Sequence, residues 1–116
     1  MTPDYDSGFI RYFREMQDRV HRTARDKGWW DEQYRNGAPC NDGEKIALMH
    51  SELSEMLEGL RHGDPLDEKC PGFTNAEVEG ADLLIRLMDW AEFKGFRIAE
   101  AAVAKNAYNQ TRPHKH

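Results

Sequence analysis

Nowhere in the 116 residues does an apolar run last long enough to span a bilayer, and the opening "MTPDYDSGF" has neither the basic nor the apolar part of a signal peptide. Those absences predict a soluble, cytoplasmic protein with no membrane partner, in a bacterial cell, a phage-infected host or a eukaryotic cytoplasm alike. Cysteine is scarce. Cys40 and Cys70 stand alone, without a CxxC or a histidine at zinc-like spacing, so neither a disulfide framework nor a structural zinc is expected. Basic charge is outnumbered, with 16 Lys and Arg against 21 Asp and Glu and a net charge of −5, which excludes general affinity for a nucleic-acid backbone. An anionic substrate would be repelled too, unless a metal ion or local Lys and Arg reversed the field. No stretch alternates as a strand does, and there are no repeats or low-complexity tracts. The length suits a single domain over 1–116, with a core modest enough for self-association to add buried surface.

What is present is helical periodicity. From Ser7 to Lys27, Phe9, Ile10, Phe13, Met16, Val20 and Ala24 recur at a 3.6-residue spacing, with Asp6 or Ser7 as N-cap and Gly28 as stop. The next stretch, "WWDEQYRNGAPCNDG", is rich in Gly, Pro, Asn and Asp and reads as a loop. A second helix is expected over Glu44 to Leu60, with Ile46, Met49, Leu53, Met56, Leu57 and Leu60 on one face. The third, Asn75 to Lys94, is apolar nearly all round and should be central, keeping one polar stripe of Glu79, Asp82, Arg86 and Asp89. A fourth, rich in alanine, covers Arg97 to Asn109. Four helices joined by loops predict an all-α, four-helix bundle-type fold.

Glu52 and Glu55 lie three residues apart and so project from one helix face, as do Glu79 and Asp82. The spacing alone is weak, because roughly four such acidic pairs arise by chance at this composition. The context is stronger. A helix that is otherwise apolar does not keep carboxylates without compensation, since an unpaired charge taken out of water costs several kcal/mol. Two helices each presenting a carboxylate pair offer hard oxygen ligands, which suit Mg²⁺, with Mn²⁺ able to substitute. A di-iron bundle would require Glu-x-x-His, which does not occur in this chain. Near the C-terminus, Lys105, Asn109 and Arg112 fall at i, i+4 and i+7, a basic side that could clamp phosphate or simply answer the helix dipole. Of the aromatics in the loop, Trp29, Trp30 and Tyr34, one could stack on a nucleobase, Trp30 being the candidate. The opposing expectation is that a tryptophan pins the loop to the core. His50 is expected to pack, and His21, His62, His114 and His116 to lie at the surface, as does Glu58.

Taken in order, "EKIALMHSELSEMLEGLR", "EVEGADLLIRLMDW" and "KNAYNQTRPHKH" resemble the MazG-like all-α nucleoside triphosphate pyrophosphatases, whose pattern is ExxE, a gap, ExxD, and a helix carrying Lys, Asn and Arg. The gap here holds 23 residues. The resemblance covers about Glu44 to His114. It implies a MazG-like fold assembled as a homo-oligomer, either a dimer or a tetramer built as a dimer of dimers. It implies that Glu52, Glu55, Glu79 and Asp82 bind Mg²⁺ and serve catalysis, and that Lys105, Asn109 and Arg112 contact the substrate. The activity implied is hydrolysis of ribo- or deoxyribonucleoside triphosphates between the α- and β-phosphates, for pool control or house-cleaning. A phosphoribosyl-ATP pyrophosphohydrolase and a non-catalytic helical interaction module are the competing readings.

Overall fold

The computed structural model describes residues 3–114. His116 lies outside the described residues. Five helices follow one another: α1 (Pro3–Asp26), α2 (Asp31–Asn36), α3 (Asp42–Arg61), α4 (Asn75–Lys94) and α5 (Ile98–Gln110). The described residues form no strand, only an isolated bridge between Leu66 and Thr74 in the loop before α4. None of the helices is long and apolar enough to cross a membrane.

The all-α expectation holds, with two corrections. The first helix starts at Pro3 rather than at a cap near Ser7; proline suits a first helical position, where its missing N–H costs nothing. The loop after Gly28 contains α2, whose six residues are too few to display a period. Bounds for α4 agree with the sequence because its end signals are strong. Thr74 and Glu77 form a reciprocal capping box, and Gly95 closes the helix at φ 73°.

α4 is the central element, packed on α3 along one side and on α1 along another, while α5 packs on α1. Close approach of α3 and α4 depends on small residues. A Cβ on Gly59 would sit 3.2 Å from the Asn75 Cβ, and one on Gly80 would sit 3.0 Å from Met56 Cε. Both glycines are next to the carboxylates of interest, so the contact that holds the helices together also brings Glu55 and Glu79 close.

The buried apolar residues are few: Ala24, Trp30, Met49, Met88, Ala91 and Ala99. On α3, by contrast, Ile46, Leu53, Leu57 and Leu60 remain 38–53% exposed in one stripe. A helix face of this kind is ordinarily covered.

Candidate metal centre

Three of the four expected acids meet. Glu52 and Glu55 from α3 and Glu79 from α4 each offer a carboxylate oxygen within 4.8 Å of the other two. Glu52 is 6% exposed, Glu79 half-buried and Glu55 exposed. Oε2 of Glu52 and Oε2 of Glu79 are buried with no donor facing them. Such oxygens are costly to leave unsatisfied. In the absence of a cation, the contact is relieved by a proton. A hydrogen bond to Glu52, then burial, then the charge of Glu55 push Glu79 up to about 8. Burial pushes Glu52 up as well, but hydrogen bonds from Arg86 and Glu79, with the guanidinium charge, outweigh it and leave Glu52 below its ordinary value. A divalent ion could satisfy the same oxygens without a proton, and an all-carboxylate donor set is of the kind that suits a hard ion such as Mg²⁺ or Mn²⁺.

Asp82 is one turn farther along α4 and falls outside the three-residue cluster. It lines a hollow of about 580 Å³ between α1, α3 and α4, together with Glu52, Lys45, Arg86, Asp89 and Trp29. Burial, and then the charge of Glu52, raise Asp82 above its ordinary value against the opposing pull of Arg86. Glu55 and Glu79 border a second hollow of about 300 Å³, with Glu58, Gly59, His62 and Asn75. The cluster therefore lies between two concavities, with Glu52 facing the larger and the other two acids facing the smaller.

The polar stripe of α4 serves three different partners. Glu79 faces the acids of α3. Arg86 donates from Nε to Glu52 Oε1 at 2.8 Å. Asp89 belongs to a separate buried network, accepting from Trp30 Nε1 at 2.9 and 3.1 Å and pairing with His21 Nδ1 at 2.7 Å, while His21 Nε2 meets the Tyr34 hydroxyl at 2.8 Å.

That network corrects two expectations. Trp30 is not a stacking platform: it is 1% exposed and lies parallel to Phe93 with ring centroids 4.5 Å apart, so it pins the segment after α1 to α4. Its neighbour Trp29 is accessible instead, 67% exposed on the wall of the larger hollow. His21, expected at the surface, is 4% exposed because Asp89 and Tyr34 satisfy both its ring nitrogens. His50 goes the other way and is exposed. His62, His114 and Glu58 are at the surface as expected.

Lys105, Asn109 and Arg112 are exposed, the first two on α5 and Arg112 just beyond it, and none of them lines either hollow. Lys105 instead holds its ammonium 4.6 Å over the Tyr108 ring. The cations that line the larger hollow with the acids are Arg86 and Lys45, and of these only Lys45 lay outside the sequence pattern. Arg86 was within the predicted stripe, and its pairing with Glu52 could have been suspected from the charge balance of that stripe. Cys40 is raised by burial and by its hydrogen bond to Asp42, and it has no partner of functional interest.

Compared with known proteins, the chain matches no family model, and no curated protein or solved structure matches it significantly.

Proposed function

We propose that this chain is a Mg²⁺-dependent nucleoside triphosphate pyrophosphohydrolase of the MazG-like kind, releasing a nucleoside monophosphate and pyrophosphate. The observation that carries the reading is the meeting of Glu52, Glu55 and Glu79 from two helices, with two buried oxygens that have no donor. Such a cluster stays together only with a proton or a cation among its oxygens. Helix packing at Gly59 and Gly80 brings its members close.

Glu52, Glu55 and Glu79 would hold the ion, with Asp82 completing the set from the adjacent turn. A divalent ion there supplies neutralisation of the triphosphate and acidification of the attacking water. Glu55, exposed at the smaller hollow, would accept the proton of the attacking water as the water oxygen bonds to the α-phosphorus and the bond to the leaving pyrophosphate breaks. The larger hollow, with the exposed ring of Trp29, has room for the nucleoside.

Lys105, Asn109 and Arg112 keep the substrate-facing role that the sequence resemblance gives them only through assembly. A homo-oligomer, dimer or tetramer, would cover the exposed stripe of Ile46, Leu53, Leu57 and Leu60 and would allow α5 of one copy to approach the cluster of another.

The deciding experiment is a panel of ribo- and deoxyribonucleoside triphosphates, and phosphoribosyl-ATP, incubated with and without Mg²⁺ and assayed for monophosphate and pyrophosphate. Metal-dependent release of pyrophosphate from any nucleoside triphosphate supports the proposal. Release from phosphoribosyl-ATP alone favours the narrower enzyme, and release from none leaves the helical interaction module.

A further inference from the structure

We propose that Arg86 is a binding group for the phosphate chain of the substrate, held by Glu52 at its inner end and open to the larger hollow at its outer end. The inference rests on the pyrophosphohydrolase reading for the identity of the anion, and on separate geometry for the residue.

The hollow has an electrostatic problem. Glu52, Asp82 and Asp89 all line it, and an anion entering it meets three carboxylates. Two cations stand against them. Lys45 rests its ammonium 4.2 Å over the Trp30 ring, where the π-face engages it. Arg86 is the other, and its contact with Glu52 is through a single point.

A guanidinium that served only to neutralise a carboxylate would be expected to use its fork, placing two parallel N–H groups on the two oxygens. Arg86 uses Nε alone, on Oε1, at 2.8 Å. Its two terminal amino groups make no hydrogen bond among the described residues, and Oε2 of Glu52 receives none from the guanidinium. Exposure fits this division: the Glu52 side chain is 8% exposed and that of Arg86 42%, so the pair joins a covered carboxylate to a cation that reaches solvent. Arg86 is also on the wall of the hollow itself. Four N–H donors without a hydrogen bond, on a lining residue of the hollow whose charge does not titrate, are suited to the oxygens of a phosphate group.

Glu52 is thereby shared between two tasks. Oε1 fixes the guanidinium, which leaves the buried Oε2 to join an ion site, so that an ion and Arg86 would be separated by a single carboxylate. A phosphate bound to both would be set in register with the cluster without help from α5.

The test uses the full chain and the variants Arg86→Lys and Arg86→Gln. Binding of Mn²⁺ alone, binding of inorganic pyrophosphate in the presence of Mg²⁺, and KM and kcat for the best nucleotide are measured separately. Lysine retains the charge but loses the fork, so Arg86→Lys is expected to raise KM and weaken pyrophosphate binding by about tenfold each, with Mn²⁺ affinity within about twofold of wild type. Arg86→Gln should do the same or worse, and folding of each variant is checked by circular dichroism. Wild-type KM and pyrophosphate affinity in Arg86→Lys, or a change confined to Mn²⁺ affinity, would show that Arg86 is only the counter-ion of Glu52 and overturn the proposal. Failure of the wild-type chain to bind pyrophosphate with Mg²⁺ would overturn it as well. If no nucleoside triphosphate is hydrolysed, the enzymatic reading falls by itself, and the pyrophosphate titration still decides Arg86.

Discussion

Replacing Glu79 by glutamine preserves size and hydrogen-bonding capacity while removing the charge that the cluster is least able to hold. In the metal-free chain Glu79 is pushed up to about 8 by its hydrogen bond to Glu52, by burial and by Glu55, against an ordinary value of 4.5. Between those two values the folded chain keeps a proton that the unfolded chain has lost. Stability then falls as pH rises, because the slope follows the protons bound in the unfolded state minus those in the folded state. The contribution is complete below the ordinary value and is lost as pH climbs through about 8. Glu52 has the opposite sign, its value being lowered, and its contribution is lost only in acid, so it does not cancel the effect above pH 6. Taken in full, a displacement of this size corresponds to about 5 kcal/mol. Water reaching the exposed Glu55 side screens the cluster and reduces that to about 1–2 kcal/mol. For a domain of this length the loss corresponds to a fall in Tm of about 4–8 °C. Thermal unfolding followed by circular dichroism in EDTA, at pH 6 and pH 9, measures it, and the difference between wild type and Glu79→Gln removes the contributions of other titrating groups. Wild type should lose stability across the interval and the variant much less. Added Mg²⁺ or Mn²⁺ should raise the wild-type Tm, most at the higher pH where no proton competes, and should leave the variant nearly unmoved. Equal pH slopes in EDTA, or equal stabilisation of both proteins by metal, would refute the reasoning.

Three further outcomes are expected. Glu55→Gln and Asp82→Asn should each abolish pyrophosphate release with helical content unchanged; full activity in either removes that residue from the site. Trp30→Ala should cost about 3–5 kcal/mol in denaturant unfolding, because a fully packed indole and its hydrogen bonds to Asp89 are lost together, whereas Trp29→Ala should be nearly neutral in stability and raise KM. Leu57→Glu should leave the fold intact and lower the mass measured by sedimentation at micromolar concentration, and an unchanged mass would show that the α3 stripe is not an interface.

How much of this could be read from the sequence depends on what each signal measures. Periodicity located α3 and α4, and the ends of α4 coincide with a Thr74–Glu77 capping box and with Gly95, whose roles are carried by residue type. They could not locate α2, a helix of six residues with a loop's composition. Spacing of i and i+3 correctly put Glu52 and Glu55 on one side of α3, and ordering of the motifs paired them with Glu79. The same rule placed Glu79, Asp82, Arg86 and Asp89 in one stripe, which is true as a direction and silent about distance. Ten residues of α-helix rise about 15 Å, farther than one ion can bridge, so a stripe of this length must divide among partners. Where it divides is set by what lies opposite: Glu52 and Glu55 at one end, and His21 and Trp30 at the other. Those two residues come from α1 and the turn after it, more than fifty positions away in the chain, and no pattern within α4 reports them. Burial of His21 follows from the same cause, since it is Asp89 and Tyr34 that make an imidazole tolerable in the core. The carboxylates at the two ends of the stripe thus differ not in type or spacing but in company. Asp89 faces ring N–H groups and is satisfied, whereas Glu79 faces other carboxylates and needs a proton or a cation.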